Sequence, residues 1–391
     1  MFQTHALPLT TPFDHQLAEQ RLLVSTEALP ILQPELAQQL TAWLHVTNAC
    51  NLDCPYCYVR KSSESMPEPI GMQAVDTLFQ MADQQHMSRV KLKYAGGEAS
   101  LQLPLIRKLH DRALALSHTL SIALQEVLLS NGVQLSDFWI DWLATTEIKV
   151  TISLDGIANV HDRQRPSKGG GPSFAQVEHT ITRLLQSGIK PHISITVTAA
   201  NAADVADLVD WVLKRSLTFH LNFYRQTSCN ADALTWAIEE HAIIAGLRAA
   251  YRVIERSLPD YPLFGGLLDK VQAPAHVHTC GVNQNYVVIT HQGQVAQCQM
   301  HLDQPVSDRL TPDSLLMVAR GAIQNLPVDE KEGCKTCSYR YRCTGGCPLE
   351  TYQATGRWDV KSPHCNLYRT LYPDVLRLEG LRLLKVNSLF A

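Results

Sequence analysis

Three cysteines within one short stretch open the chemistry of this chain: Cys50-Asn51-Leu52-Asp53-Cys54-Pro55-Tyr56-Cys57, a C-x3-C-x2-C triplet. Thiolates so closely spaced bind metal, and their number matters. Structural zinc closes on four ligands, and a cubane iron–sulfur cluster has four irons to satisfy. Three protein thiolates leave one iron open to a substrate or cofactor, which points to catalysis; a zinc loop completed by His45 or a distant residue is the alternative at this spacing. Seven of the other eight cysteines lie between 280 and 365, as Cys280, Cys298, Cys334-x2-Cys337-x5-Cys343-x3-Cys347 and Cys365. C-x2-C pairs are also common zinc ligands, so a zinc ribbon is the competing reading there. Cys229 stands outside both groups and is most simply a loop or buried thiol.

Composition says where such thiols would work. The start MFQTHALPLTTPFD lacks a secretory n-region and h-region, and no run of about 18 apolar residues occurs in the 391-residue chain. A soluble, cytoplasmic protein is expected, and in a reducing compartment eleven cysteines are not a disulfide framework. Lys plus Arg number 34 against 37 Asp plus Glu, a net charge of −3. That balance supports neither a nucleic-acid footprint nor a polybasic membrane patch.

The elements that must position the triplet are βα units. Short apolar runs at Trp43–Thr47, Val90–Tyr94, Ile122–Leu129, Ile148–Ser153, Ile193–Val197 and Phe219–Phe223 read as six strands. Helical patterns alternate with them near Met72–Met81, Leu103–Leu116, Ser136–Ala144, Phe174–Leu185 and Ala203–Leu213, with a longer one from Ala233 to about Ile254. Crossovers of that length return the chain to the same end of a parallel sheet. The motif residues fall just after strands, where barrel folds place their chemistry. Upstream, residues 1–42 are Pro-interrupted, with a short helix expected around Pro34–Leu40. Past about Ser257 come Pro- and Gly-containing loops, a hairpin from Tyr286–Ile289 to near Cys298, a helix near Pro312–Ala322, a cysteine-dense stretch with little regular structure, and a helix from Leu367 to about Leu384. A small loop-rich module needs staples, and metal clusters supply them.

The triplet, with Tyr56 before its third cysteine, resembles the signature of the radical S-adenosylmethionine (SAM) superfamily. Ala95-Gly96-Gly97-Glu98 after strand two looks like the family's GGE motif, whose backbone and carboxylate hold the methionine ammonium of SAM. Ser130 and Asn131 after strand three, and Ser153, Asp155 and Arg165 after strand four, resemble its later SAM contacts. On that resemblance Ser153 and Arg165 would meet the methionine carboxylate, for which a hydroxyl and a guanidinium are good donors. The later cysteines resemble, spacing by spacing, the SPASM module of peptide- and protein-modifying members, which binds two auxiliary clusters. Carried over by position, Cys334, Cys337, Cys343 and Cys365 would ligate one cluster, and Cys280, Cys298 and Cys347 the other.

The fold so implied is α/β: a partial (β/α)6 TIM-like barrel followed by a small cysteine-rich SPASM domain with a β-hairpin and a C-terminal helix. The expected divisions are 1–42, barrel 43–257, linker 258–275, SPASM 276–370 and terminal helix 371–391. The implied cofactors are three [4Fe-4S] clusters and SAM. The implied activity is reductive cleavage of SAM to a 5′-deoxyadenosyl radical that abstracts hydrogen from a ribosomally made precursor peptide. A cyclophane C–C or thioether cross-link would follow. An electron donor such as flavodoxin or ferredoxin is a further partner; residues 1–42 are too few for a winged-helix-like element of about 80 residues, so leader recognition would use the barrel, the SPASM surface or a separate leader-peptide-binding protein. Alternatives are a sulfatase-maturase-like oxidase, a peptide epimerase and a non-catalytic iron–sulfur electron carrier. Two departures bear on these. Pro274 stands where some members place a further cysteine, leaving His276 and His278 as candidate ligands. Gln299 stands where sulfatase-maturing relatives carry an Asp base, and a carboxamide cannot accept the substrate proton. No general base is assigned.

Overall fold

A computed structural model of the protein describes residues 37–227, 238–272 and 274–388, together with positions 12, 15, 229 and 236. The chain divides into two compact units, one of residues 36–246 and 281–324, the other including 247–280 and the cysteine-dense stretch from 325 onward.

The first unit is built on six strands that pair parallel in chain order: β1 (Gln39–Thr47), β2 (Arg89–Gly96), β3 (Ala123–Ser130), β4 (Lys149–Ser153), β5 (His192–Val197) and β6 (Phe219–Phe223). Helices α1 (Glu68–Gln84), α2 (Leu103–Leu120), α3 (Asp137–Ala144), α4 (Asn159–Gln164), α5 (Phe174–Gln186) and α6 (Val205–Lys214) lie between them. Consecutive parallel strands joined through helices make the arc of a β/α barrel, as the alternation of apolar runs predicts. Six-residue α4 is too short to carry a helical period and escapes the sequence reading. One face of the sheet is largely apolar, with Leu44, Leu92, Ile152, Ile195 and Leu221 all at 2% exposure or less, and the buried Glu126 registers with Leu92 on it. Helix stripes such as Val177, Ile181 and Leu184 of α5 are likewise buried. α7 (Glu240–Ser257) follows β6; its expected start at Ala233 falls outside the described residues.

Two expectations are corrected here. Gln39 and Leu40, placed in a short helix by sequence, begin β1, while Pro34 to Leu36 lie outside the described residues. The hairpin assigned to the 276–370 module instead extends the barrel sheet: β7 (Tyr286–Ile289) pairs parallel with β1, and β8 (Val295–Ala296) returns antiparallel to it. A strand as apolar as Val287-Val288-Ile289, fully buried, satisfies the open backbone edge of β1. α8 (Ser314–Ala319) completes this unit.

The second unit is loop-rich around short α9 (Arg340–Cys343) and α10 (Pro348–Thr355) and long α11 (Cys365–Ser388). α9 and α10 fall in the stretch expected to lack regular structure. Val277, Val328, Cys334 and Tyr341 form a small core. Between α9 and α10, Thr344, Gly345 and Gly346 take φ of 48, 81 and 73°, a left-handed run that needs glycine and turns the chain between Cys343 and Cys347. Thr279 Oγ1 donates to the carbonyls of Thr344 and Gly346 at 3.0 and 2.8 Å, pinning that turn. Among the described residues, no helix is long and apolar enough to cross a membrane.

Candidate functional site

The cysteine loop leaves β1 at Thr47 and is held by backbone on two sides. Gly97 N–H donates to Thr47 O and Glu98 N–H to Ala49 O, each at 2.8 Å. Asp53 N–H donates to Pro166 O at 2.8 Å, and Lys168 N–H to Asn51 O at 2.9 Å. The two glycines follow from that contact: a Cβ on Gly96 would lie 2.3 Å from Thr47 O, and one on Gly97 2.4 Å from Ala49 O. Only glycine lets the end of β2 approach the loop so closely. Leu52 N–H and Val59 N–H point at the sulfurs of Cys50 and Cys57 at 3.4 Å.

Burial pushes the Cys54 thiol up to about 12 and raises Cys50 as well. Neither is a free thiolate nucleophile at neutral pH, whereas a metal would displace the proton and supply the missing countercharge. Beside them, buried Asn51 Nδ2 has no hydrogen-bond partner. Three sulfur donors and an orphaned N–H fit a metal–sulfide cluster with acceptor atoms around its open corner. His45 Nε2 meets Asn48 Oδ1 at 2.7 Å, while its buried Nδ1 has no hydrogen-bond partner.

Glu98 sits 1% exposed beneath the loop. Its carboxylate accepts from Ser100 N–H at 2.9 Å, Ser130 Oγ at 2.7 Å and Asn131 N–H at 2.6 Å. Asn131 Nδ2 then donates to Asn51 Oδ1 at 2.7 Å, tying the ends of β2 and β3 to the cysteine loop. A second hub lies after β4. Asp155, 1% exposed, accepts from Arg165 Nε at 2.6 Å, from Thr196 N–H at 2.7 Å and from the Tyr56 hydroxyl. Burial opposes the Arg165 charge, but Asp155, Tyr56 and Cys54 hold the guanidinium protonated above its ordinary range. Burial, followed by the nearby Asp155 charge acting against Arg165, keeps the Tyr56 phenol protonated. The guanidinium carbon also stands 5.5 Å from the Tyr56 ring centroid.

The fold thus brings the triplet, Tyr56, Gly96, Gly97, Glu98, Ser130, Asn131, Asp155 and Arg165 into one bonded network at the strand ends. Ser153 is not bonded into it; it stands beside Ser194 across the β4–β5 register. Asp155 and Arg165 are first of all partners of each other.

In the second unit, Cys334, Cys337, Cys343 and Cys365 line one cavity. Its charged lining is cationic, with Arg340, Lys361 and Arg369 and no carboxylate. Burial pushes Cys334 up to about 12 and Cys343 to about 11, so these thiols too need a metal to ionise. Four thiols around one cationic space suit an anionic, four-thiolate cluster. Cys280 and Cys347 belong to the same unit, whereas Cys298 belongs to the first, where its sulfur accepts from Met300 N–H at 3.5 Å. Of the two histidines offered as ligands, His276 keeps a buried Nε2 without a partner, and His278 bonds Asn325 O through Nδ1 at 2.9 Å. Gln299 accepts from the Tyr286 hydroxyl at 2.7 Å.

The sequence reading missed the second face of the barrel sheet. Around β1, β2 and β7 it is apolar, with Trp43, Ala95 and Val288 packed together. Across β5 and β6 it is polar: His192 Nε2 meets His220 Nδ1 at 2.6 Å, His220 Nε2 meets Ser194 Oγ at 3.1 Å, and Asn222 Nδ2 donates to Ser194 at 3.2 Å. Each strand shows only an alternation of polar and apolar residues; the ladder appears when Ser194 registers with His220. Tyr94 at the end of β2 is fully buried and donates to Glu126 at 2.6 Å.

Residues 44–212, under half of the chain, match the Radical SAM superfamily. The sporulation killing factor maturation protein SkfB of Bacillus subtilis (strain 168) is 29% identical over 206 residues, which is 52% of this chain and 46% of SkfB. A serine-type anaerobic sulfatase-maturating enzyme of Bacteroides thetaiotaomicron is 27% identical over 186 residues, 46% of this chain and 42% of that protein. The chain spans about half the length of the curated relatives it matches. The solved structure described as native anSMEcpe with bound AdoMet and Cp18Cys peptide superposes with a TM-score of 0.71 at 16% identity, over 88% of this chain and 99% of that one. That likeness shows the fold alone.

Proposed function

We propose that this protein is a radical SAM maturase that abstracts hydrogen from a ribosomally made precursor peptide and forms an intramolecular cross-link, a cyclophane C–C bond or a thioether. The observation that carries the reading is the coexistence in one chain of a three-thiol loop at the barrel's strand ends and a four-thiol cavity with a cationic lining. Cys50, Cys54 and Cys57 would hold a [4Fe-4S] cluster with an open iron. Cys334, Cys337, Cys343 and Cys365 would close a second, and Cys280, Cys298 and Cys347 would hold a third. With the cluster and SAM bound, one-electron cleavage of the sulfonium supplies the hydrogen-abstracting radical.

The chain's own residues do the rest. Glu98 and Asp155 fix the ends of β2, β3 and β4 around the cysteine loop. Arg165 spends Nε on Asp155 and keeps its terminal nitrogens for the methionine carboxylate, with Ser153 as a second donor. The remaining acceptor capacity of Glu98 serves the methionine ammonium. Its partners are a precursor peptide, a low-potential donor such as flavodoxin or ferredoxin, and a separate leader-peptide-binding protein, and its compartment is the reducing cytoplasm. Support for a peptide substrate comes from SkfB, a maturation protein by name, and from the peptide in the superposed anSMEcpe structure.

Anaerobically reconstituted protein given SAM and dithionite is expected to release 5′-deoxyadenosine. Coexpression with short peptides encoded beside its gene should yield a product about two hydrogens lighter. Absence of SAM cleavage by cluster-loaded protein would favour a non-catalytic electron carrier. The likeness to a sulfatase-maturating enzyme motivates a second reading, oxidation of a protein side chain, which the bonded carboxamide of Gln299 disfavours. An unchanged product mass with deuterium uptake from heavy water would instead mark an epimerase.

A further inference from the structure

One cation of the second unit is deeply buried. Lys331 is 1% exposed, and among the described residues it makes no ion pair. Its ammonium carries three protons. Nζ donates to the Thr344 carbonyl at 2.8 Å, and that oxygen already accepts from Thr279. An ammonium so placed is costly unless a negative charge compensates it.

The surroundings show where that charge would come from. The point at which a Cβ would stand on Gly345 lies 3.3 Å from Lys331 Nζ and 3.3 Å from Cys334 Sγ, so ammonium and thiol share one small space. Cys334 shares that space, the turn that carries the carbonyl runs between Cys343 and Cys347, and Thr279, which pins the turn, adjoins Cys280. Two of these cysteines belong to the proposed four-cysteine set and two to the proposed three-cysteine set. The left-handed turn at Thr344 to Gly346 aims the one carbonyl at Nζ, and a side chain at Gly345 would stand 2.8 Å from Lys331 Cδ.

We propose that Lys331 is a fixed cation shared by the two auxiliary clusters, neutralising part of their thiolate charge and holding their reduction potentials up. It is a positioning residue for charge, and the inference rests on the proposed assignment of those cysteines. A nearby positive charge stabilises the form with one more electron, so removing it lowers the potential. Such clusters would accept the electron that a substrate radical must lose on the way to a closed-shell product; the accompanying proton leaves separately to a base.

The test is a redox titration of the reconstituted full-length protein followed by electron paramagnetic resonance, comparing wild type, Lys331→Met and Lys331→Arg. Met keeps the length and removes the charge; Arg keeps the charge. Expected is a shift of at least one auxiliary signal in Lys331→Met to a lower midpoint by about tenfold in the oxidised-to-reduced ratio, about 59 mV for one electron, with Lys331→Arg near wild type. Cluster loss in Lys331→Met with retention in Lys331→Arg would also support charge compensation. Unchanged midpoints in fully loaded Lys331→Met, or equal cluster loss in both variants, would overturn the proposal. Wild type carrying iron for a single cluster would sink the underlying cysteine assignment instead, and iron analysis reports that separately.

Discussion

The two cysteine centres are built on opposite plans. The first takes three thiols from a single loop, Cys50 to Cys57, and borrows its rigidity from the ends of the barrel strands through Glu98, Asn131 and Asp155. The second gathers four thiols from Cys334 to Cys365 around a cavity whose shape depends on a left-handed turn, a buried lysine and the Tyr339–Tyr372 ring contact at 4.5 Å. Three ligands leave a metal corner for chemistry; four close it, which suits electron transfer. Carboxylates organise the first site and cations line the second, which under the proposed function would suit one to an amino acid's charged groups and the other to an anionic cluster.

The sharpest way to break this contrast is to remove one thiol from each site. Cys54→Ala should abolish 5′-deoxyadenosine formation and lower bound iron by about four per chain. Cys337→Ala should lower iron while leaving substrate-free SAM cleavage; loss of that cleavage would mean the sites do not act separately. Next comes the hub that belongs only to the first site. Asp155→Asn leaves Arg165 buried without its anion, and urea unfolding should register a loss of about 3–5 kcal/mol together with weaker SAM binding.

Gly97→Ala forces a Cβ toward Ala49 O and should cost about 1–3 kcal/mol and reduce cluster loading. Gly171→Ala, whose nearest neighbour would be Ser167 Cβ at 3.9 Å, should change stability by less than about 0.5 kcal/mol. Acid should also single out the barrel. Burial lowers His45, His161 and His192 from 6.5 to about 4, all in the first unit. Between those values the unfolded chain binds protons that the native state refuses, so stability falls as pH drops from about 6.5 to about 4. The effect at pH 5 should be on the order of 1–2 kcal/mol per histidine, read by unfolding at pH 7 and pH 5. Tyr56→Phe removes one donor to Asp155 and should cost about 1 kcal/mol.

Much of this was legible beforehand. Apolar runs separated by helical periods placed six strands to within a few residues, because a parallel sheet buried on its helix-covered face must be apolar there. The triplet and Gly96-Gly97-Glu98 were legible because they are contiguous, and short spacing makes proximity unavoidable. Register-dependent features were hidden. Tyr286 to Ile289 reads as half of a local hairpin, yet β7's other neighbour is β1, far away in the chain. The bond between Asp155 and Arg165 was likewise missed, since each looked like a separate ligand contact.

The order of residues by itself determined the sulfur chemistry and the strands that carry it: donor type, ligand count within a loop, and hydrophobic period are local properties of a chain. Tertiary structure alone decided which charges face one another. Asp155 became the partner of Arg165 and Tyr56, His220 met His192 and Ser194, and Lys331 was sealed beside Cys334. Burial and electrostatic pairing depend on distances through space, which no spacing along the chain encodes.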